Sequence, residues 1–160
     1  MSSNKVKSCI LPGSYDPVTL GHLDVIRRAA LEYGEVYAVI FTNPKKTYTY
    51  SLSDRVRMLM LACEDIDNCM VSYSDGLVID YMRDHGIDVI VKGVRNDEDI
   101  AYEDIQAKWN KAHGGYDTIY LSADEAFANI SSTLARERIA KNESLDGILP
   151  KSVIDFLNRH

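Results

Sequence analysis

Thr19-Leu20-Gly21-His22 brings a hydroxyl, a glycine and an imidazole together just after Gly13-Ser14-Tyr15-Asp16-Pro17 and just before an apolar-periodic segment. That combination suits phosphate. Glycine lets the backbone come close to a ligand, and the free N–H groups and positive dipole end of a helix start attract anions. Ile130-Ser131-Ser132-Thr133 places small hydroxyl residues at a second expected helix start, where N-capping and phosphate binding can hold together. The two segments point to nucleotide phosphate chemistry.

The elements that must position these residues follow from periodicity. Val6 to Leu11 reads as a first strand and Leu23 to Tyr33 as a helix, with Ile26, Ala29, Ala30 and Tyr33 on one face and Gly34 at its end. Val36 to Phe41 is a continuous apolar run, as expected of a strand covered on both faces. The loop Thr42 to Ser51 carries Lys45 and Lys46. Ser51 to Asp54 resembles a capping box, and the helix behind it places Val56, Leu59, Met60 and Cys63 on one stripe. A strand is expected near Met70 to Tyr73, a helix near Leu77 to His85 closed by Gly86, and a short buried strand at Val89 to Val91. Asp97 to Ala112 reads as a helix with Ala101, Ile105, Trp109 and Ala112 inward. Thr118 to Leu121 is the last strand, and helices from about Ser131 and Pro150 finish the chain. Strands separated by helical patterns predict an α/β fold: one doubly wound, Rossmann-like domain over residues 1–160 with a five-stranded parallel sheet.

In a parallel sheet, the residues that follow each strand gather at one edge, where ligands bind. Here they are Ser14, Asp16 and His22, then Asn43, Lys45 and Lys46, then Ser74, Asp75 and Gly76, then Lys92, Gly93 and Arg95, and finally Ser122 with Ser131 to Thr133. Cations and hydroxyls converge there although the net charge is -6. An anionic ligand is expected, while the acidic balance argues against a nucleic-acid partner. No apolar run spans a membrane, and Met1 to Lys5 lack the apolar core of a secretory signal. Cys9, Cys63 and Cys69 have no metal-type spacing, and the first and second fall in apolar patterns. They read as free thiols, which implies a reducing, cytoplasmic setting. His85, His113 and His160 belong to no motif and are expected at the surface.

The two motifs resemble those of the nucleotidyltransferase superfamily with a T-x-G-H or H-x-G-H signature. Within it the chain is most similar to the bacterial phosphopantetheine adenylyltransferase family. Pro12 to His22 follow that family's Pro-Gly-[Ser/Thr]-[Phe/Tyr]-Asp-Pro-x-Thr-x-Gly-His pattern. Lys46 stands in the loop after strand two with Arg55 nine residues behind it, Gly93-Val94-Arg95 follow strand four, then Tyr102-Glu103, and Leu149-Pro150 precede the last helix. The likeness is collinear from about Lys5 to the C-terminus.

The resemblance implies that ATP and 4'-phosphopantetheine give dephospho-coenzyme A and pyrophosphate, by in-line attack of the acceptor phosphate on the α-phosphorus with no covalent enzyme intermediate. It implies that His22 contacts the α-phosphate and stabilises the transition state. Ser14 would bridge nucleotide and acceptor phosphate, with Tyr15 beside it on the ATP side. Lys46 would meet the acceptor phosphate and the transferred group. By residue type Lys45 fits as well, and the spacing to Arg55 favours Lys46. Lys92 would lie on the acceptor phosphate where the family usually has Arg, which keeps the charge and loses the bidentate fork. Val78 would line the pantetheine arm. Gly93, Val94 and Arg95 would hold the nucleotide, Arg95 near the β- and γ-phosphates, with Glu103 also on the nucleotide. Phe127, Ala128, Asn129 and Ile130 would sit on the adenine side, where the family's run is richer in aromatics. Ser131, Ser132 and Thr133 would take the ATP phosphates. Asp16 and Pro17 shape their loop rather than touch substrate.

ATP chemistry implies Mg²⁺ to neutralise the leaving pyrophosphate; no carboxylate cluster marks a site held by the protein, so the ion is expected to arrive with ATP. The resemblance further implies a homohexamer, built as a dimer of trimers, and coenzyme A as a candidate inhibitor. Other readings stay open: a nicotinamide or nicotinate mononucleotide adenylyltransferase, a glycerol-phosphate cytidylyltransferase, or a non-catalytic ATP-binding module.

Overall fold

A computed structural model describes residues 7–160 of the chain. Eleven strands and helices alternate in this order: β1 Ser8–Gly13, α1 Leu20–Glu32, β2 Glu35–Phe41, α2 Leu52–Ala62, β3 Cys69–Ser74, α3 Val78–His85, β4 Val89–Val94, α4 Asp97–Gly114, β5 Thr118–Ser122, α5 Ser132–Ala140 and α6 Lys151–Arg159. Val6, the expected first residue of β1, lies outside the described residues. The sheet is five-stranded and all parallel, in the order β3-β2-β1-β4-β5. It is the doubly wound, Rossmann-like arrangement that the strand–helix alternation predicts.

Alternation along the strands builds a core on each face. Cys9, Leu11, Val36, Ala38 and Val91 join the buried residues of α1, α2 and α6, such as Ile26, Leu59 and Val153. Ile10, Val39 and Ile90 point the other way, onto Met82 and Ile87 around α3. Burial on both faces is why these strands read as unbroken apolar runs. The cysteines are free; Cys9 and Cys63 are buried and Cys69 is half-buried. Burial pushes the Cys9 thiol up to about 12, which leaves it inert.

The chain reverses its direction of winding between β1 and β4, the switch point at which such sheets bind ligands. The two strands are in register at Cys9–Val89 and Ile10–Ile90. Beyond that pair, β1 runs on through Leu11, Pro12 and Gly13, and β4 through Val91 to Val94, with no shared ladder. This parting opens the C-terminal edge of the sheet.

Several elements depart from the pattern expected of them. The first helix begins at Leu20 rather than Leu23, because Thr19 caps it. On α2, Leu59 and Cys63 are buried as expected, but Met60 is 53% exposed, and Arg55, Met58 and Ala62 turn inward as well. The largest departure is α4. Ala101, Ile105, Trp109 and Ala112 face solvent, with Ile105 75% and Trp109 38% exposed, while Asn110 is buried. Polar contacts rather than apolar burial set this rotation. Lys92 of β4 pairs with Glu103 at 3.1 Å, and the Tyr120 hydroxyl of β5 donates to Asp104 at 2.6 Å. His85, His113 and His160 are exposed, as expected.

Candidate active site

A cavity of about 970 Å³ occupies the C-terminal edge of the sheet. Its walls bring together Ser14 and Tyr15 from the β1–α1 loop, His22 from α1, Lys46 from the β2–α2 loop, and Lys92 and Arg95 at the end of β4. Gly21, Val78, Gly93, Val94 and Glu103 also line it, as do Phe127, Ile130, Ser131 and Ser132. Ala128, Asn129 and Thr133 do not. The Thr133 hydroxyl instead accepts from Arg136 at 3.2 Å. Lys45 is likewise off the lining, its backbone N–H held by the Asn43 side chain at 2.9 Å.

His22 is the third residue of α1 and completes a capping box with histidine where Glu or Gln is usual. The Thr19 hydroxyl accepts from the His22 N–H at 3.3 Å, and the Thr19 N–H donates to His22 Nδ1 at 3.0 Å. A ring nitrogen that accepts an amide N–H carries no proton, so in the neutral imidazole the proton sits on Nε2. Burial pulls the pKa of the ring down to about 4, and the cations of Lys92 and Arg95 add to the shift. His22 is therefore a neutral N–H donor with a fixed tautomer, suited to stabilising charge that develops on a phosphoryl oxygen.

The β1–α1 loop that flanks it is locked from several sides. Tyr15 adopts a left-handed conformation at φ 46° and is buried, its hydroxyl donating to Leu11 O at 2.8 Å. A Cβ on Gly13 would lie 3.1 Å from the Tyr15 ring, so glycine is what lets that ring fold back. The start of α5 closes the loop from the far side. Ser132 Oγ donates to Pro17 O and Arg136 donates to Asp16 O, both at 2.8 Å. Ser131 caps the helix, accepting the Leu134 N–H at 3.1 Å.

The cations at the end of β4 are tethered. Lys92 reaches across the parting strands to donate to Pro12 O at 3.2 Å, besides its pairing with Glu103. Arg95 Nε lies 3.1 Å from Asp99 Oδ2. Gly93 has a packing role as well as a place on the cavity wall: a Cβ there would sit 2.7 Å from Val25 Cγ2 of α1. Among the described residues, no group of three or more His, Cys, Asp or Glu is placed to hold a metal ion.

On the far wall of the cavity, only Val78 was foreseen, through the family resemblance. Gln106, Asn110 and Thr118 line it beside Leu77, Val78 and Ile105. Gln106 donates to Asn110 Oδ1 at 3.3 Å, and Thr118 Oγ1 is a buried hydroxyl with no partner among the described residues. The polar Asn110 between Trp109 and Ala112 was a readable signal. A strand threonine such as Thr118 carries none.

The arrangement has neutral and cationic donors, hydroxyls and a helix start around one opening, which is the equipment for phosphoryl chemistry by positioning and charge stabilisation. The family model described as cytidylyltransferase-like matches residues 10–138, from β1 into α5. With that match over most of its length, the chain belongs to the cytidylyltransferase-like family, and it is a nucleotidyltransferase.

Proposed function

We propose that the protein transfers AMP from ATP to 4'-phosphopantetheine, giving dephospho-coenzyme A and pyrophosphate. The observation that carries this reading is the joining of two kinds of wall in one cavity. Near His22, Lys46, Lys92 and Arg95 the lining suits phosphates; near Leu77, Val78, Asn110 and Thr118 it is apolar with amide and hydroxyl groups. An acceptor with a phosphate at one end and an aliphatic, amide-bearing arm would use both, and the unpartnered Thr118 hydroxyl would meet an amide of that arm.

The acceptor phosphate oxygen attacks the α-phosphorus in line, the new P–O bond forms as the bond to the bridging oxygen breaks, and pyrophosphate leaves. His22 Nε2–H donates to an α-phosphoryl oxygen. Lys46 and Lys92 hold the acceptor phosphate, and Ser14 lies between the reactants. Arg95, released from Asp99, takes the β- and γ-phosphates with Ser131 and Ser132. Gly93, Val94, Glu103, Phe127 and Ile130 flank the nucleoside. Mg²⁺, carried in on the triphosphate, would neutralise the leaving pyrophosphate.

The same reading places the protein in the cytoplasm, where coenzyme A would compete for the cavity. Among the described residues no helix is long and apolar enough to cross a membrane. It also includes a homohexamer, for which the bare apolar stripe of α4 supplies a contact surface.

Pyrophosphate release decides between acceptors. Turnover with ATP and 4'-phosphopantetheine, and not with nicotinamide mononucleotide or with CTP and glycerol phosphate, is the expected result. Turnover with another pair would keep the nucleotidyl transfer and move the acceptor assignment. ATP binding without turnover of any acceptor would make this a binding module.

A further inference from the structure

Lys46 stands on an exposed loop, yet the proposed chemistry needs it at a definite distance from Ser14 and His22. The loop is held by a buried arginine. Arg55 of α2 is 2% exposed and does not line the cavity. Its Nη1 donates to Ser14 O and its Nε to Tyr50 O, each at 3.1 Å. Its guanidinium carbon lies 4.0 Å from the centre of the Tyr48 ring. Tyr48 in turn accepts the Asn43 N–H at 2.9 Å, and Lys46 N donates to Asn43 O at 2.9 Å. The loop that presents Lys46 is thus closed on a ring seated on Arg55. The reciprocal link comes from Asp16, also buried, whose carboxylate accepts the Thr49 N–H at 2.8 Å and the Tyr50 N–H at 2.9 Å. Arg55 makes no ion pair with a carboxylate among the described residues. Burying an unpaired guanidinium is costly, and apolar side chains would fill the space more cheaply. What this charge does here is tie two backbone segments together.

We propose that Arg55, with Asp16 and Tyr48, is a positioning clasp that sets the Lys46 loop in register with the Ser14–His22 loop; Tyr48 itself lines the cavity, whereas Arg55 acts on turnover through Lys46 without touching substrate. The inference rests on the proposed adenylyl transfer for its kinetic readout only.

The test is a double-mutant cycle with an exchange measurement beside it. Arg55→Lys keeps the charge and loses the fork, and Tyr48→Leu removes the ring on which the guanidinium is seated while leaving its bonds to Ser14 O and Tyr50 O. Each is expected to lower kcat about tenfold, since small misplacements of a positioned group are expensive, with KM for ATP little changed. In a Lys46→Ala background neither should lower kcat further. Amide exchange over residues 43–48 should speed up in both variants while the strands stay protected, and this readout needs no turnover. Equal losses with and without Lys46, or unchanged exchange in the loop, would overturn the clasp. Faster loop exchange in both variants, together with a wild-type protein that turns over no acceptor, would sink the adenylyl-transfer reading and leave the clasp standing.

Discussion

His22 serves two ends with one side chain. It closes the capping box that starts α1, and that same bond to Nδ1 leaves Nε2–H as the donor. His22→Ala should therefore lower kcat by about 10²–10³-fold, the usual effect of removing one fixed oxyanion donor, and His22→Gln should recover part of it; steady-state pyrophosphate release measures both. The lowered pKa gives a pH prediction with a definite sign. Unfolded, the ring takes a proton below about 6.5; folded, it refuses one until about 4. Stability from this group is whole above 6.5 and drains away as pH falls toward 4. Urea denaturation at intervals across that window should show the loss, and His22→Gln should flatten it. For the free enzyme, kcat/KM should carry no inflection near 6.5 from this residue. Gly93 illustrates a different kind of necessity. Gly93→Ala drives a methyl into Val25 and should cost about 1–3 kcal/mol in denaturant melts, as overpacking does, with Val25→Ala on the same chain returning part of it.

Among the elements, α2 was the easiest to anticipate and still only half right. Ser51 caps it, accepting the Asp54 N–H at 3.1 Å. Ser51→Ala should cost about 1 kcal/mol, measurable by thermal melting. Its inward face was harder to foresee. An apolar stripe through Met60 looked sound by spacing, but the buried Arg55 beside Met58 and Leu59 rotates the helix toward the Ser14 loop. No propensity scale counts a charged residue as core. On α4 the same error is larger, for the same reason. Its inward side is chosen by the partners of Glu103 and Asp104, which lie on β4 and β5, and no local pattern contains them.

For the whole molecule, the exposed stripe through Ile105 and Trp109 is only partly explained by a lone subunit, since Ile105 lines the cavity and Trp109 does not. Large apolar side chains in a row on one helix mark an interface. If copies assemble there, wild-type protein sediments above the mass of one chain, and Ile105→Asp shifts it toward the monomer with its circular dichroism unchanged. A wild-type monomer at micromolar concentration would remove the assembly from the proposal.

The strand–helix alternation, the parallel sheet and its ligand edge were legible from residue order alone. Periods of apolar residues report burial directly, and parallel connection sends every strand end to the same side. Gly21-His22 and Ser131-Ser132 were legible too, because helix starts have local signatures. Tertiary structure alone decided that Ala128, Asn129 and Thr133 stay off the cavity and that Asn110 and Thr118 join it; Lys46, which the spacing to Arg55 already favoured over Lys45, lines it. It alone turned the apolar side of α4 outward. These outcomes depend on contacts between residues far apart in the chain, such as Arg55 with Ser14 and Lys92 with Glu103, and a one-dimensional pattern records which residues are apolar but not which neighbours they meet.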